Sequence, residues 1–146
     1  MKREEIISEL FQRIVNVPGV SRVKRNPNVA PSTEDTPIVN IFEFEAKVIG
    51  DSGGGGVALP VIKFKMPCVV EVFINASSNA TATTEFFTFY QEVLKSIFND
   101  GMSLGNIGCN IKIISTSRIF RPTGLMIGMG TVFEIVYLED LKQLIQ

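Results

Sequence analysis

A chain of 146 residues, 45% hydrophobic and 20% charged, has the length of one ordinary domain and enough apolar content to bury a single core, which excludes a disordered tail and a multidomain machine. Its formal net charge of −1 gives no electrostatic reason to expect a nucleic-acid partner. With no histidine and only two cysteines, zinc-finger, histidine-ligated haem and Ser-His-Asp chemistries are excluded by inventory.

The first predicted element is an amphipathic helix, because Ile6, Ile7, Leu10, Phe11, Ile14 and Val15 recur at helical spacing and leave the charges on the opposite side. Pro18-Gly19 ends it. Residues 20–25 read as a short strand with Arg22 and Lys24 on one side, followed by a loop over residues 26–36 that contains Pro, Asn and Ser. Residues 38–48 then alternate, placing Phe42, Phe44, Ala46 and Val48 on one face and Glu43, Glu45 and Lys47 on the other.

Asp51-Ser52 and the run Gly53 to Gly56 separate this strand from a second extended segment, residues 61–75, in which Ile62, Phe64 and Met66 alternate with Lys63 and Lys65. The two segments are predicted to form a hairpin. A turn centred at Gly54 sets Glu43 opposite Lys65, Glu45 opposite Lys63, Phe44 opposite Phe64 and Phe42 opposite Met66. This register matches charge with charge and apolar with apolar, each pair worth roughly 0.2–1 kcal/mol. Pro67 has no N–H to give to a ladder and marks an edge or a bulge before the more apolar residues 68–74.

A second helix is predicted over residues 84–99, where Phe86, Phe87, Phe89, Tyr90, Val93, Leu94, Ile97 and Phe98 form a broad stripe that must pack on a sheet, and Gly101 stands just past its end. Thr81, Thr83 and Thr84 are alternative caps for its start. Strands over residues 109–120 and 130–137 follow, and Leu141, Leu144 and Ile145 suit a short helical tail. The order predicts an α+β fold, a mostly antiparallel β-sheet with two amphipathic helices packed on it and a long protruding β-hairpin, all within one domain spanning residues 1–146. The protrusion follows from length: a strand over residues 37–49 spans roughly 43 Å, whereas a compact domain of this size is roughly 38 Å across.

Each candidate for chemistry has a plainer structural reading. The glycines at 53–56 lack the following Gly-Lys-Ser/Thr and helix that a phosphate loop requires, and suit a hairpin tip. Gly124, Gly128 and Gly130 precede the extended Thr131-Val132-Phe133 rather than a helix, and so are not a dinucleotide fingerprint. Glu43 and Glu45 sit two apart, but their alternation with large apolar residues suits a solvated or ion-paired strand face. Arg22, Lys24, Arg25, Arg118 and Arg121 lack the interleaved aromatics of a base-stacking surface. No metal, cofactor or catalytic residue is predicted.

Cys68 and Cys109, flanked by apolar residues in separate strands, read as reduced structural thiols. Asn75-Ala76-Ser77 and Asn79-Ala80-Thr81 have the spacing of glycosylation sites but read as turn and helix-start residues. No apolar run approaches the ~18 residues of a membrane span, and the opening Met-Lys-Arg-Glu-Glu-Ile-Ile is unlike a secretory signal, so the expectation is a protein retained inside the producing cell.

Taken in order, the opening helix, Pro31 and Asp35-Thr36-Pro37-Ile38-Val39-Asn40-Ile41, the long hairpin, Val70-Glu71-Val72-Phe73-Ile74, the second helix and the closing Thr131-Val132-Phe133-Glu134-Ile135-Val136-Tyr137 resemble the tail terminator proteins of long-tailed bacteriophages. The resemblance covers nearly the whole chain, with residues 51–59 and 124–130 as departures from it. It implies a non-enzymatic virion protein, assembled in the host bacterial cytoplasm. Such a protein forms a ring, typically a hexamer, on the finished tail tube, stops polymerisation of the major tube protein and offers a surface to the head-tail connector. A cyclic ring needs one patch to meet a different patch on the next copy. On this reading Phe42, Phe44, Phe64, Val57 and Leu59 are expected at subunit or tube contacts, with Glu43, Glu45, Lys63 and Lys65 on a polar face of the same arm. For Phe44 and Phe64 the alternative is completion of the subunit's own core. Two other readings stand beside it: another ring-forming neck protein, and a small-molecule-binding domain with a pocket beneath the second helix.

Overall fold

The computed structural model describes residues 2–51 and 61–141. In chain order these form α1 (Lys2–Val15), β1 (Arg22–Arg25), a 3-10 turn (Thr33–Asp35), β2 (Ile38–Glu43), β3 (Lys47–Asp51), β4 (Val61–Asn75), α2 (Ala82–Ile97), β5 (Cys109–Thr116) and β6 (Met126–Asp140). The strands make one sheet in the order β1-β2-β4-β6-β5, with β3 continuing the β2 side of β4. Among the described strands only β1 and β2 pair in parallel, so the fold is α+β with a mostly antiparallel sheet. The expected turn at Gly53 to Gly56, and Leu144 and Ile145 of the expected tail helix, lie outside the described residues.

The spine of the sheet is the β4–β6 pair, in register without a slip from Val61 opposite Asp140 to Asn75 opposite Met126. Alternation sends Met66, Cys68, Val70, Val72 and Ile74 to the same face as Ile127, Met129, Phe133, Ile135 and Tyr137, and all are buried. Both helices lie on that face, where Ile6, Ile7, Leu10 and Ile14 of α1 and Phe86, Tyr90, Val93 and Ile97 of α2 join one continuous core. The Phe-rich stripe of α2 is thus filled by the sheet: Phe98 lies 5.9 Å from Phe133 between ring centres, and the Tyr90 hydroxyl is hydrogen-bonded to Thr131 of β6. Gly101, at a φ of 71°, gives its N–H to the Phe98 carbonyl and turns the chain out of the helix.

The predicted hairpin register is corrected. Observed partners are Phe42 with Val69 and Glu43 with Cys68 in β2, then Lys47 with Lys65 and Val48 with Phe64 in β3. The predicted single strand over residues 38–48 is broken between Glu43 and Lys47. Pro67 supplies the reason: its carbonyl accepts from the Phe44 N–H at 3.1 Å, but it has no N–H to return, and the ladder stops there. Beyond the break the register has slipped by one residue. A displacement of three from the predicted pairing in β2 also exchanges faces, so Val39 and Ile41 enter the helix-covered core while Phe42 turns to the opposite side.

The tip of the expected protruding hairpin lies outside the described residues. The far end of the sheet is met by the start of α1, where the Lys2 N–H donates to Glu139 at 3.2 Å and Arg3 donates to the Phe44 carbonyl at 3.2 Å. The long strands, β4 and β6, pair with each other in the middle of the sheet.

Other departures are matters of extent. The second helix starts two residues earlier than predicted, and β6 starts at Met126 rather than Gly130 and so takes in Gly128. At Gly128 the reason is contact: a Cβ there would run into the Phe73 ring and come within 3.1 Å of the Val72 carbonyl. A small second core of Ile38, Phe73 and Met126 sits at this end of the helix-free face, with Phe120 edge-on to Phe73 at 5.5 Å.

Candidate subunit interface

The helix-free face of the sheet is the first surface of interest. Alternation from the core residues of β4 and β6 assigns to it Lys63, Lys65, Pro67, Val69 and Glu71, opposite Leu138, Val136, Glu134, Val132 and Gly130. Glu134 stands between two lysines, 3.6 Å from Lys65 on β4 and 3.6 Å from Lys112 on β5. Near the other end, Glu71 accepts a hydrogen bond from the Asn40 side chain, and burial pushes its carboxyl above the usual range. Asn40 is itself buried, and its Oδ1 has no partner among the described residues. Two open clefts flank β5, one of about 570 Å³ that includes Lys63, Lys112 and Leu138, the other of about 520 Å³ that includes Glu71, Arg118 and Val132.

The margins of the sheet are the second. On the β3 side, Phe44 is 51%, Val48 62% and Ile49 48% exposed. On the β5 side, every residue from 112 to 118 is exposed, including Ile113 and Ile114. Large apolar side chains left in water at both margins of one sheet are the feature that a second protein surface would cover.

Between α1 and the break in the β2–β3 strand lies an ion network. Arg25 of β1 donates to both Glu43 and Glu4, and Arg3 of α1 donates to Glu43 from Nε at 3.3 Å and Nη2 at 3.1 Å. The Arg25 hydrogen bonds hold the Glu43 carboxyl below the usual carboxylate range against the opposing effect of burial, and Arg3 adds to the lowering. Its hydrogen bonds to Glu4 and then Glu43 raise Arg25 above its ordinary value.

The predicted site residues therefore separate. Glu43 belongs to the internal ion network and not to the polar face of an arm, because its side chain faces α1 and is captured by two arginines. Lys63 and Lys65 are exposed on the helix-free face, and Lys65 is paired with Glu134 rather than Glu43. Phe64 is half-buried and stacked on Tyr137 at 5.4 Å, packed against its own core. Phe42 is half-buried on the helix-free face, while Phe44 and Glu45 are exposed beside the break. Val57 and Leu59 lie outside the described residues. Sequence reasoning missed the β5 margin and the role of Glu134, although the lone charge within the apolar run 132–137 was a signal for the latter.

Cys68 and Cys109 are unpaired thiols. Burial pushes Cys68 up to about 12 and also raises Cys109, so neither is poised as a nucleophile. Among the described residues no cluster of three or more His, Cys, Asp or Glu is placed to hold a metal ion, and no helix is long and apolar enough to cross a membrane.

No protein-family model matches the sequence, and no curated protein matches it. Among solved structures, a chain described as "Virion of native gene transfer agent (GTA) particle" is similar with a TM-score of 0.46 and 13% sequence identity, over 89% of this chain and 92% of that chain.

Proposed function

We propose that this chain is a structural virion subunit that closes with copies of itself into a ring, a homohexamer, at the end of a finished tail tube. There it stops polymerisation of the tube protein and presents a surface for the head-tail connector. The observation that carries the reading is the pair of uncovered apolar margins, Val48 and Ile49 on one side of the sheet and Ile113 and Ile114 on the other. A cyclic assembly needs two different surfaces on each copy, and these margins are different and lie on opposite sides. The helix-free face, where Lys65, Glu134 and Lys112 form a charged row across β4, β6 and β5 and Lys63 stands further along β4, gives the ring a polar surface distinct from the helices.

The test is electron microscopy of particles assembled without this chain. Overlong, headless tails are expected. Tails of normal length, or tube growth in vitro that continues unchanged after the chain is added, contradict termination. Rings that form without affecting the tube point instead to another position in the neck.

A further inference from the structure

Resting on the ring reading above, we propose that neighbouring copies join by strand pairing, the outer edge of β5 in one copy running antiparallel to the outer edge of β3 in the next. The backbone at β5 is the starting point. Ile111 gives its N–H to the Met102 carbonyl at 2.8 Å, on the side away from β6, while Ser117 gives its own to Gly130 of β6 at 2.8 Å. Alternation then turns the N–H groups of Ile113 and Thr116 away from β6. Among the described residues no strand lies beyond β5 to receive them, and one lysine, Lys112, is the strand's only charge. Natural sheets blunt exposed edges with charge, proline or a covering segment. This edge carries little of that protection. The β1 edge does: Arg22, Lys24 and Arg25 fill three of its four positions, and Arg22 and Lys24 are paired with Asp35.

β3 is the matching margin. It pairs with β4 alone among the described strands and exposes Val48 and Ile49. Direction also fits. β5 and β4 are both antiparallel to β6, and β3 is antiparallel to β4, so β5 and β3 run in opposite senses within each copy. Copies related by rotation about one axis keep these senses, and β5 meets β3 antiparallel without any copy being turned over.

The levels of the two edges fit closure as well. Through the ladders, β3 lies level with Lys65 to Ile62 of β4, whereas Ile113 to Thr116 lie level with Phe133 to Thr131 of β6 and hence with Cys68 to Val70 of β4. That is a stagger of about five residues across four strands, which at ~3.3 Å per residue and ~4.8 Å per strand corresponds to a tilt of about 40°. Sheets that close on themselves tilt by roughly 35–45°.

Sedimentation of the full-length chain tests the pairing with two kinds of variant. Thr116→Pro removes an outward N–H of β5 and leaves the β6 ladder in place, and Ile114→Lys charges the same edge should the proline lower the melting temperature. Val48→Glu with Ile49→Glu charges the β3 edge. Each edge variant alone is expected to sediment as a monomer where the unaltered chain forms rings. A mixture of a β5-edge and a β3-edge variant is expected to give a heterodimer that grows no further, because one intact edge of each kind remains. Rings formed by folded edge variants, or a mixture that stays monomeric, overturn strand pairing and leave the ring reading intact. An unaltered chain that stays monomeric even with tail tubes present overturns both.

Discussion

At Glu43 a single carboxylate with 9% side-chain exposure accepts from two guanidinium groups that arrive on different elements, Arg3 on α1 and Arg25 on β1. Because its folded-state pKa is depressed below 4.5, its stabilising contribution is present above that value and is lost as pH falls through the lower folded value. Glu43→Gln is expected to cost about 1–3 kcal/mol at neutral pH and less at a pH acid enough to protonate Glu43 in the folded state. Urea unfolding at the two pH values checks this, and an equal cost at both would contradict it. Glu71 has the opposite sign. Burial raises its pKa, so the folded state favours the protonated acid, and stability is lost as pH rises through the raised value. Glu71→Gln keeps an acceptor for Asn40 without the charge, and is expected to raise the urea midpoint at pH 7 while leaving it nearly unchanged at pH ~3. A lowered midpoint at pH 7 would show that the ionised form is needed. That Glu43 would be paired was readable from its charge; its partners were not, because Arg3 and Arg25 are brought to it by the packing of α1 and β1, which local alternation does not encode.

Among the elements, α2 carries an aromatic cluster of Phe86, Phe87 and Tyr90, and Phe98 just past its end packs on Phe133 of β6. Phe133 is fully buried between α2 and the sheet, and Phe133→Ala is expected to cost about 3–5 kcal/mol, measured as a fall in urea midpoint. Gly128→Ala should also destabilise, by about 1–3 kcal/mol, because Phe73 has little room to give within the small core it shares with Ile38 and Met126. A stability equal to that of the unaltered chain would show that this corner of the sheet is loosely packed. The helices were legible because a 3.6-residue stripe such as Phe86, Tyr90, Val93 and Ile97 reports burial directly. The long hairpin was legible in its parts but not in its register. Cross-strand charge pairs contribute little each, and the choice was made by the burial of Val39 and Ile41 in the helix-covered core together with the hydrogen bond that Pro67 cannot donate. The β5 margin was hidden for a related reason: Cys109 to Thr116 reads like any half-buried strand, and only the sheet order reveals that it lies at an edge.

At the scale of the whole molecule, the described residues form one sheet with helices on a single face, which leaves part of the second face and two margins exposed, and in the proposed ring the margins are covered by neighbouring copies. Phe44, Val48 and Ile49 contribute little to the subunit's own core, so charging them is expected to change its melting temperature by no more than a few degrees while abolishing assembly. A large fall in melting temperature would mean that they serve the fold. Ring closure is tested at its root by the mass of the unaltered chain in solution and at tube ends, from sedimentation and electron microscopy. Closed rings of the 16.1 kDa subunit are predicted, six copies in each. A monomer at high concentration that also fails to gather on tail tubes would contradict ring closure and termination together.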